Sequence, residues 1–173
     1  MINHRILHLL TLLLLTTPAF NANADEDDLP FVQITSLRDL SSLSENAARN
    51  NKIIMIEVSA SYCGYCRTLE EEIIKPMLRS GDYTQDVFIR QLEIDDTYLI
   101  TNILGEKTTP SELAEKLNII ITPTLIFLDG KGNEVSERIP GVYSLDFYGG
   151  YVDEALSDGL KLIRHSLPSN NES

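Results

Sequence analysis

The sequence predicts an α/β chain with a central mixed sheet flanked by helices, and three observations carry that expectation. Two aliphatic runs, 53–58 and 122–128, read as strands, the first nearly unbroken as in a strand covered on both faces and the second opened by a proline. Apolar residues recur at helical spacing in other stretches, most clearly 37–49, 69–77 and 144–164. A length of 173 residues with 43% hydrophobic content suffices for one packed domain, and no internal repeat or low-complexity segment divides it.

The chain opens with a polar start at Asn3, His4 and Arg5, an aliphatic run over 6–15, and the small-x-small ending Ala22-Asn23-Ala24. That layout is a cleavable secretory signal over residues 1–24, cut before Asp25. The apolar run is about ten residues where a membrane span needs roughly 20, so no stable membrane anchor is expected. Cleavage removes Arg5 and no acid, taking the formal charge from −12 to −13. With no basic run to neutralise phosphates, binding to nucleic acid or to an anionic membrane surface is excluded. The cluster Asp25-Glu26-Asp27-Asp28 reads as a solvated N-terminus rather than a metal site. Residues 25–36 are expected to be flexible, 37–166 to form the folded domain, and 167–173 to be a polar tail.

Within the domain, Leu37, Leu40, Leu43 and Ala47 mark a first helix over 37–49, ended by Asn50-Asn51. The strand 53–58 follows, unusual in carrying one acid, Glu57. Residues 59–62 connect to a second helix starting at Cys63, with Leu69, Ile73 and Met77 as its buried stripe and Pro76 expected to kink or end it. Residues 87–94 form a second strand, closed by Asp95-Asp96. The stretch 96–108 holds Tyr98, Leu99, Ile100, Ile103 and Leu104, too apolar for a free linker, so an ordered loop or short extra element is expected. Thr109 as N-cap, Pro110 at the first helical position and Glu112 completing a capping box give the sharpest helix start in the chain, running to about Leu117. A proline-opened strand over 122–128 leads through the turn 129–133 to an antiparallel partner over 134–139. Gly141 interrupts the chain before a final helix, 144–164, whose last turn is followed by His165.

The chain has two cysteines, both in Cys63-Gly64-Tyr65-Cys66. A structural zinc site wants four Cys or His ligands, and the mature chain adds to these thiols only His165, so neither a metal nor any other cofactor is expected. As a staple the pair is poor, because a disulfide across two intervening residues removes little entropy from the unfolded chain. At a strand-to-helix junction it has another logic. The first sulfur meets unpaired backbone N–H groups and the positive end of the helix dipole, which favour a thiolate. Cys63 is then the nucleophile, and Cys66, one turn on and facing inward, resolves the mixed disulfide. An inert local disulfide and a copper-chelating pair are the alternatives this motif leaves open.

Three features together resemble the thioredoxin superfamily over residues 37–165: Tyr62-Cys63-Gly64-Tyr65-Cys66 after an aliphatic strand, Ile121-Thr122-Pro123-Thr124, and Gly130 through Gly141 with a closing helix. The wording Cys-Gly-Tyr-Cys is similar to that of periplasmic disulfide isomerases. The one-domain layout, the insertion at 96–108 and Gly141-Val142-Tyr143-Ser144 look more like SoxW-type thioredoxin-related periplasmic proteins. The resemblance implies a thioredoxin fold, a cis Pro123 facing the disulfide, and a Thr122 backbone that pairs with an extended substrate beside Cys63. It places at Glu57 a buried acid behind the second cysteine, where burial raises the pKa and suits proton exchange with Cys66. A solvent-facing Glu57 at the sheet edge is the other reading. Gln91 stands where relatives carry a lysine near this acid, Tyr62 replaces a tryptophan, and Tyr65 replaces a proline, where it either stacks on substrate or only covers the sulfur.

The resulting expectation is a periplasmic thiol:disulfide oxidoreductase that reduces protein disulfides, its partners being protein thiols and, since a dithiol in an oxidising compartment needs a donor, a membrane electron carrier. Isomerase or oxidant, Cu(I)-binding chaperone and non-catalytic partner-binding module remain its rivals.

Overall fold

The computed structural model describes residues 29–165. The expected signal segment 1–24 and tail 167–173 lie outside them, as do residues 25–28. Twelve elements follow in order: α1 (Leu40–Asn50), β1 (Ile53–Ser59), α2 (Gly64–Leu69), a π-helical turn (Glu70–Ile74), α3 (Lys75–Ser80), β2 (Val87–Glu93), β3 (Ile100–Thr101), β4 (Lys107–Thr108), α4 (Pro110–Lys116), β5 (Thr124–Leu128), β6 (Ile139–Pro140) and α5 (Leu145–His165).

The main sheet has the order β2-β1-β5-β6. β1 runs parallel to β2 and antiparallel to β5, and β5 is antiparallel to β6, so the sheet is mixed as expected. β1 is buried along its whole length. Side chains alternate between the faces of a strand, so Ile53 and Met55 join Leu69, Ile74, Phe127, Tyr148 and Val152 on one side. Ile54, Ile56 and Val58 join Leu40, Ala47, Leu113 and Ile126 on the other. One layer is thus α2, α3 and α5, and the opposite layer α1 and α4.

Several expectations are corrected. The lead-in is ordered earlier than residue 37: Ile34 is buried, Thr35 O accepts from Gln91 N at 3.0 Å, and Leu37 N donates to Gln91 O at 2.7 Å, so this segment runs along the free edge of β2. α1 starts at Leu40 instead of 37 because Asp39 takes the cap, its carboxylate accepting from Ser42 N at 2.9 Å. Pro76 does not end the second helical stretch. The preceding π-helical turn widens the backbone where the proline lacks an N–H, and helix continues to Ser80 before Gly81 caps it at φ 71°. The same extra residue rotates the stripe, so Ile74 rather than Ile73 is fully buried.

Residues 96–108 form a two-stranded ribbon, β3 with β4, whose turn is organised by Asn102: its Oδ1 accepts from Leu104 N at 2.9 Å and Glu106 N at 3.0 Å. The capping box at Thr109 and Glu112 is present as read from the sequence. The strand expected over 134–139 shrinks to a bridge at Glu134 and the two residues of β6. Between them the chain leaves the sheet, because Arg138 ion-pairs with Glu134 and donates to Leu117 O at 3.0 Å, tying this segment to the end of α4.

The turn after β5 packs against α1 so closely that a Cβ on Gly130 lies 2.4 Å from Ala48 N. Gly130→Ala is therefore expected to cost about 2–3 kcal/mol. A Cβ on Gly149, inside α5, meets nothing within 4 Å, and Gly149→Ala is expected to stabilise by about 0.5–1 kcal/mol. Urea unfolding of both variants checks this pair, and a neutral Gly130→Ala contradicts the close approach.

Candidate active site

β1 delivers the chain to the site. It ends at Ser59, and a short turn, closed by Cys63 N donating to Ala60 O at 3.0 Å, leads into α2. Cys63 is the N-cap residue of α2, its backbone still extended and its Sγ accepting from Cys66 N at 3.1 Å. A sulfur at a helix N-terminus faces backbone donors that no intrahelical carbonyl uses, which favours negative charge there. Cys63 and Cys66 form a disulfide. Cys63 is partly accessible while Cys66 is 0% exposed, so an incoming thiolate or disulfide reaches the first sulfur and not the second. Tyr62 and Tyr65 flank this sulfur at 74% and 68% exposure, two apolar rings left uncovered beside the reactive bond.

The Thr122–Pro123 peptide bond is cis. Thr124, the next residue, pairs with Val58 across β1 and β5, so the proline turn sits at the same end of the sheet as the cysteine turn. Pro123 is buried, and its carbonyl accepts from Gly141 N at 2.7 Å. The hydroxyl that ties this turn belongs to Thr124, which donates to Ile121 O at 2.7 Å.

Glu57 lies on β1 between Gln91 of β2 and Leu125 of β5, in the middle of the sheet rather than at its edge, and is 0% exposed. Burial, reinforced by the Glu70 carboxylate, pushes its pKa up to about 9. Gln91, in the position where a lysine was the comparison, contributes an amide instead of a charge. Its Nε2 donates to Glu70 Oε1 at 2.8 Å and to Glu57 Oε2 at 3.4 Å, so one side-chain nitrogen holds two carboxyls. Glu70 also accepts from Ser59 Oγ at 3.5 Å, and burial raises its pKa. Sequence reading missed Glu70. The available signal was its spacing, four residues after the inward-facing Cys66 and hence on the same helix face. Among the described residues no group of three or more His, Cys, Asp and Glu side chains could hold a metal ion.

This arrangement can exchange a disulfide: an accessible sulfur at a helix N-terminus, a buried sulfur one turn on, and a protonated carboxyl on the strand that leads to them. Known proteins agree in kind. The family model described as a thioredoxin-like domain matches residues 41–155. The chain is similar to the thiol:disulfide interchange protein DsbD of Yersinia pestis, 24% identical over 143 residues that cover 79% of this chain and 22% of that protein. With DsbD of Tatumella citrea it shares 28% identity over 127 residues, 72% of this chain and 20% of that one. The chain therefore spans about a fifth of the length of these curated relatives. Among solved structures, one titled DsbH oxidoreductase superposes with a TM-score of 0.55 at 15% identity, covering 73% of this chain and 87% of that one, a likeness of fold.

The Glu57 carboxyl gives a signed pH dependence. In the unfolded chain it ionises near 4.5, whereas in the fold it stays protonated to about 9, so it makes stability fall as pH rises across that window. Glu57→Gln, which keeps the shape of the neutral acid, is expected to be more stable than the parent at pH 7 by about 3 kcal/mol, with the advantage vanishing below about pH 4. Denaturant unfolding of the oxidised protein from pH 4 to 9 checks it; a variant less stable at pH 7 with an unchanged slope contradicts a buried neutral acid.

Proposed function

The chain belongs to the thioredoxin-like domain family, and on that premise we propose that it is an exported thiol:disulfide oxidoreductase that reduces protein disulfides in the periplasm through Cys63 and Cys66. The observation that carries this reading is the contrast between the two sulfurs, one accessible at a helix N-terminus and one fully buried a turn later.

In the reducing direction the Cys63 thiolate attacks one sulfur of a substrate disulfide. A Cys63–substrate disulfide forms, and the other substrate sulfur leaves as a thiolate that takes a proton. The Cys66 thiol then loses its proton, which the small ionised fraction of Glu57 accepts, and attacks Cys63 Sγ. The second substrate thiolate leaves, and the Cys63–Cys66 disulfide carries the two electrons' worth of oxidation. The substrate strand runs beside Thr122 and cis Pro123, with Tyr62 and Tyr65 against its apolar side chains.

Export rests on the signal-like residues 1–24 and is supported by similarity to the thiol:disulfide interchange protein DsbD. Among the described residues no helix is long and apolar enough to cross a membrane. The enzyme must be recharged, and a membrane electron carrier is the donor that suits a dithiol in an oxidising compartment. Within the family, the 96–108 ribbon and the Gly141-Val142-Tyr143-Ser144 segment suit a SoxW-like subtype.

Cys66→Ser is expected to accumulate mixed disulfides with periplasmic proteins through Cys63, visible as dithiothreitol-sensitive bands, while Cys63→Ser accumulates none. Equal trapping by both variants contradicts the assigned order of attack. Partners retained when both cysteines are serine point instead to a binding module without turnover.

A further inference from the structure

Ser61 belongs to the turn that carries the chain from β1 to Cys63, and each of its polar groups is held by a charged side chain. Its N–H donates to Asp95 Oδ1 at 3.0 Å, and its hydroxyl donates to Asp95 Oδ2. Its carbonyl accepts from Arg67 Nη1 at 3.2 Å. A surface loop whose backbone N–H and C=O are both taken by ionised side chains is held more firmly than one left to water, because such hydrogen bonds are about twice as strong as neutral ones.

Both holding residues stand on fixed elements. Asp95 follows Ile94, whose N–H donates to Ser59 O at 2.9 Å and so extends the β1–β2 ladder to the residue before it. Arg67 lies in α2, four residues after Cys63, where its N–H reaches Cys63 O at 3.4 Å. Its guanidinium lies over the first turn of that helix, Nη2 4.0 Å from where a Cβ on Gly64 would sit. The sheet thus grips Ser61 from one side and the active-site helix from the other. Both ionised side chains are exposed, so their mutual Coulomb attraction is screened and the grip acts through geometry. The two donors from Ser61 hold the Asp95 carboxyl below the usual carboxylate range, which keeps the grip in place in mild acid.

We propose that Asp95 and Arg67 are positioning residues that clamp Ser61 and thereby hold Cys63 within closing distance of Cys66 in the dithiol state. This rests on reading Cys63 and Cys66 as a working redox pair. The clamp lies outside the segment the disulfide spans, so opening the disulfide leaves its partners in place. A loop held this way raises the effective concentration of one thiol at the other and favours the disulfide, because less freedom remains to be lost on closure. It also keeps Tyr62, the residue between Ser61 and Tyr62's neighbour Cys63, presented outward at 74% exposure.

The test is the equilibrium constant for Cys63–Cys66 closure against glutathione, measured with no protein substrate. Asp95→Ala is expected to lower that constant about tenfold, a midpoint about 30 mV less negative. Arg67→Ala moves it in the same direction by less, since it removes one of the three bonds. Ser61→Ala lowers it and Ser61→Thr, which restores the hydroxyl, recovers it. A merely structural role shifts the melting temperature of the oxidised protein without moving the closure constant. An unchanged constant in Asp95→Ala, or a Ser61→Thr variant no better than Ser61→Ala, overturns the clamp. Failure of the substrate-trapping experiment alone rejects the enzyme reading and leaves this measurement standing.

Discussion

Strand β1 is paired on both edges and covered on both faces, and that double enclosure fixes where every reactive group of the molecule lies. Seven consecutive buried residues leave no register freedom, because a shift of one position would send Ile53 and Met55 to the face that Ile54, Ile56 and Val58 fill. The point at which the chain leaves the sheet after Ser59 is therefore set, and with it the start of α2 and the place of Cys63. The same pairing carries β5 to the same end, so the cis proline turn arrives beside the cysteine turn from the other side.

Enclosure has one cost. Glu57 sits on the face where Met55 and Leu125 pack, and a carboxylate there would lose its hydration. The fold answers by keeping the acid neutral and by giving it an amide, Gln91, in place of a cation. The amide also binds Glu70, and the Glu70 carboxylate opposes ionisation of Glu57 across this contact. A neutral acid on the strand that leads to the cysteines suits the proposed proton exchange, whereas a fully ion-paired one would be fixed in its charge. This is where stability and the proposed chemistry pull in opposite directions, as buried acids at working sites generally do.

Much of this was legible in the sequence, for reasons that differ by residue. Thr109, Pro110 and Glu112 specify a helix start locally, so the reading needed no tertiary knowledge. The run 53–58 specified a two-faced strand by composition, and the acid inside it announced itself by breaking the pattern. Cys63 and Cys66 were bounded by elimination. What escaped were features decided by contacts between distant segments. The π-helical turn that moves Ile74 into the core leaves no periodic signature, since one extra residue in a turn looks like noise in the pattern. Arg138 draws residues away from the sheet by reaching the end of α4, and the edge bonds from Thr35 and Leu37 to Gln91 order a lead-in that its composition marks as loose. The site shows the same division. Its sulfurs were readable, while Glu70 and the Ser61 grip, set by side chains that meet only in three dimensions, were not.

The central claim is that Cys63 and Cys66 form a reversible couple poised for reduction of other disulfides. Equilibrating residues 25–173 in glutathione buffers and counting free thiols by mass tagging measures it directly. The account predicts a midpoint near or below about −230 mV, with complete and reversible conversion of the pair. A disulfide that stays closed even below about −300 mV would be a structural clip, and that result would contradict the account.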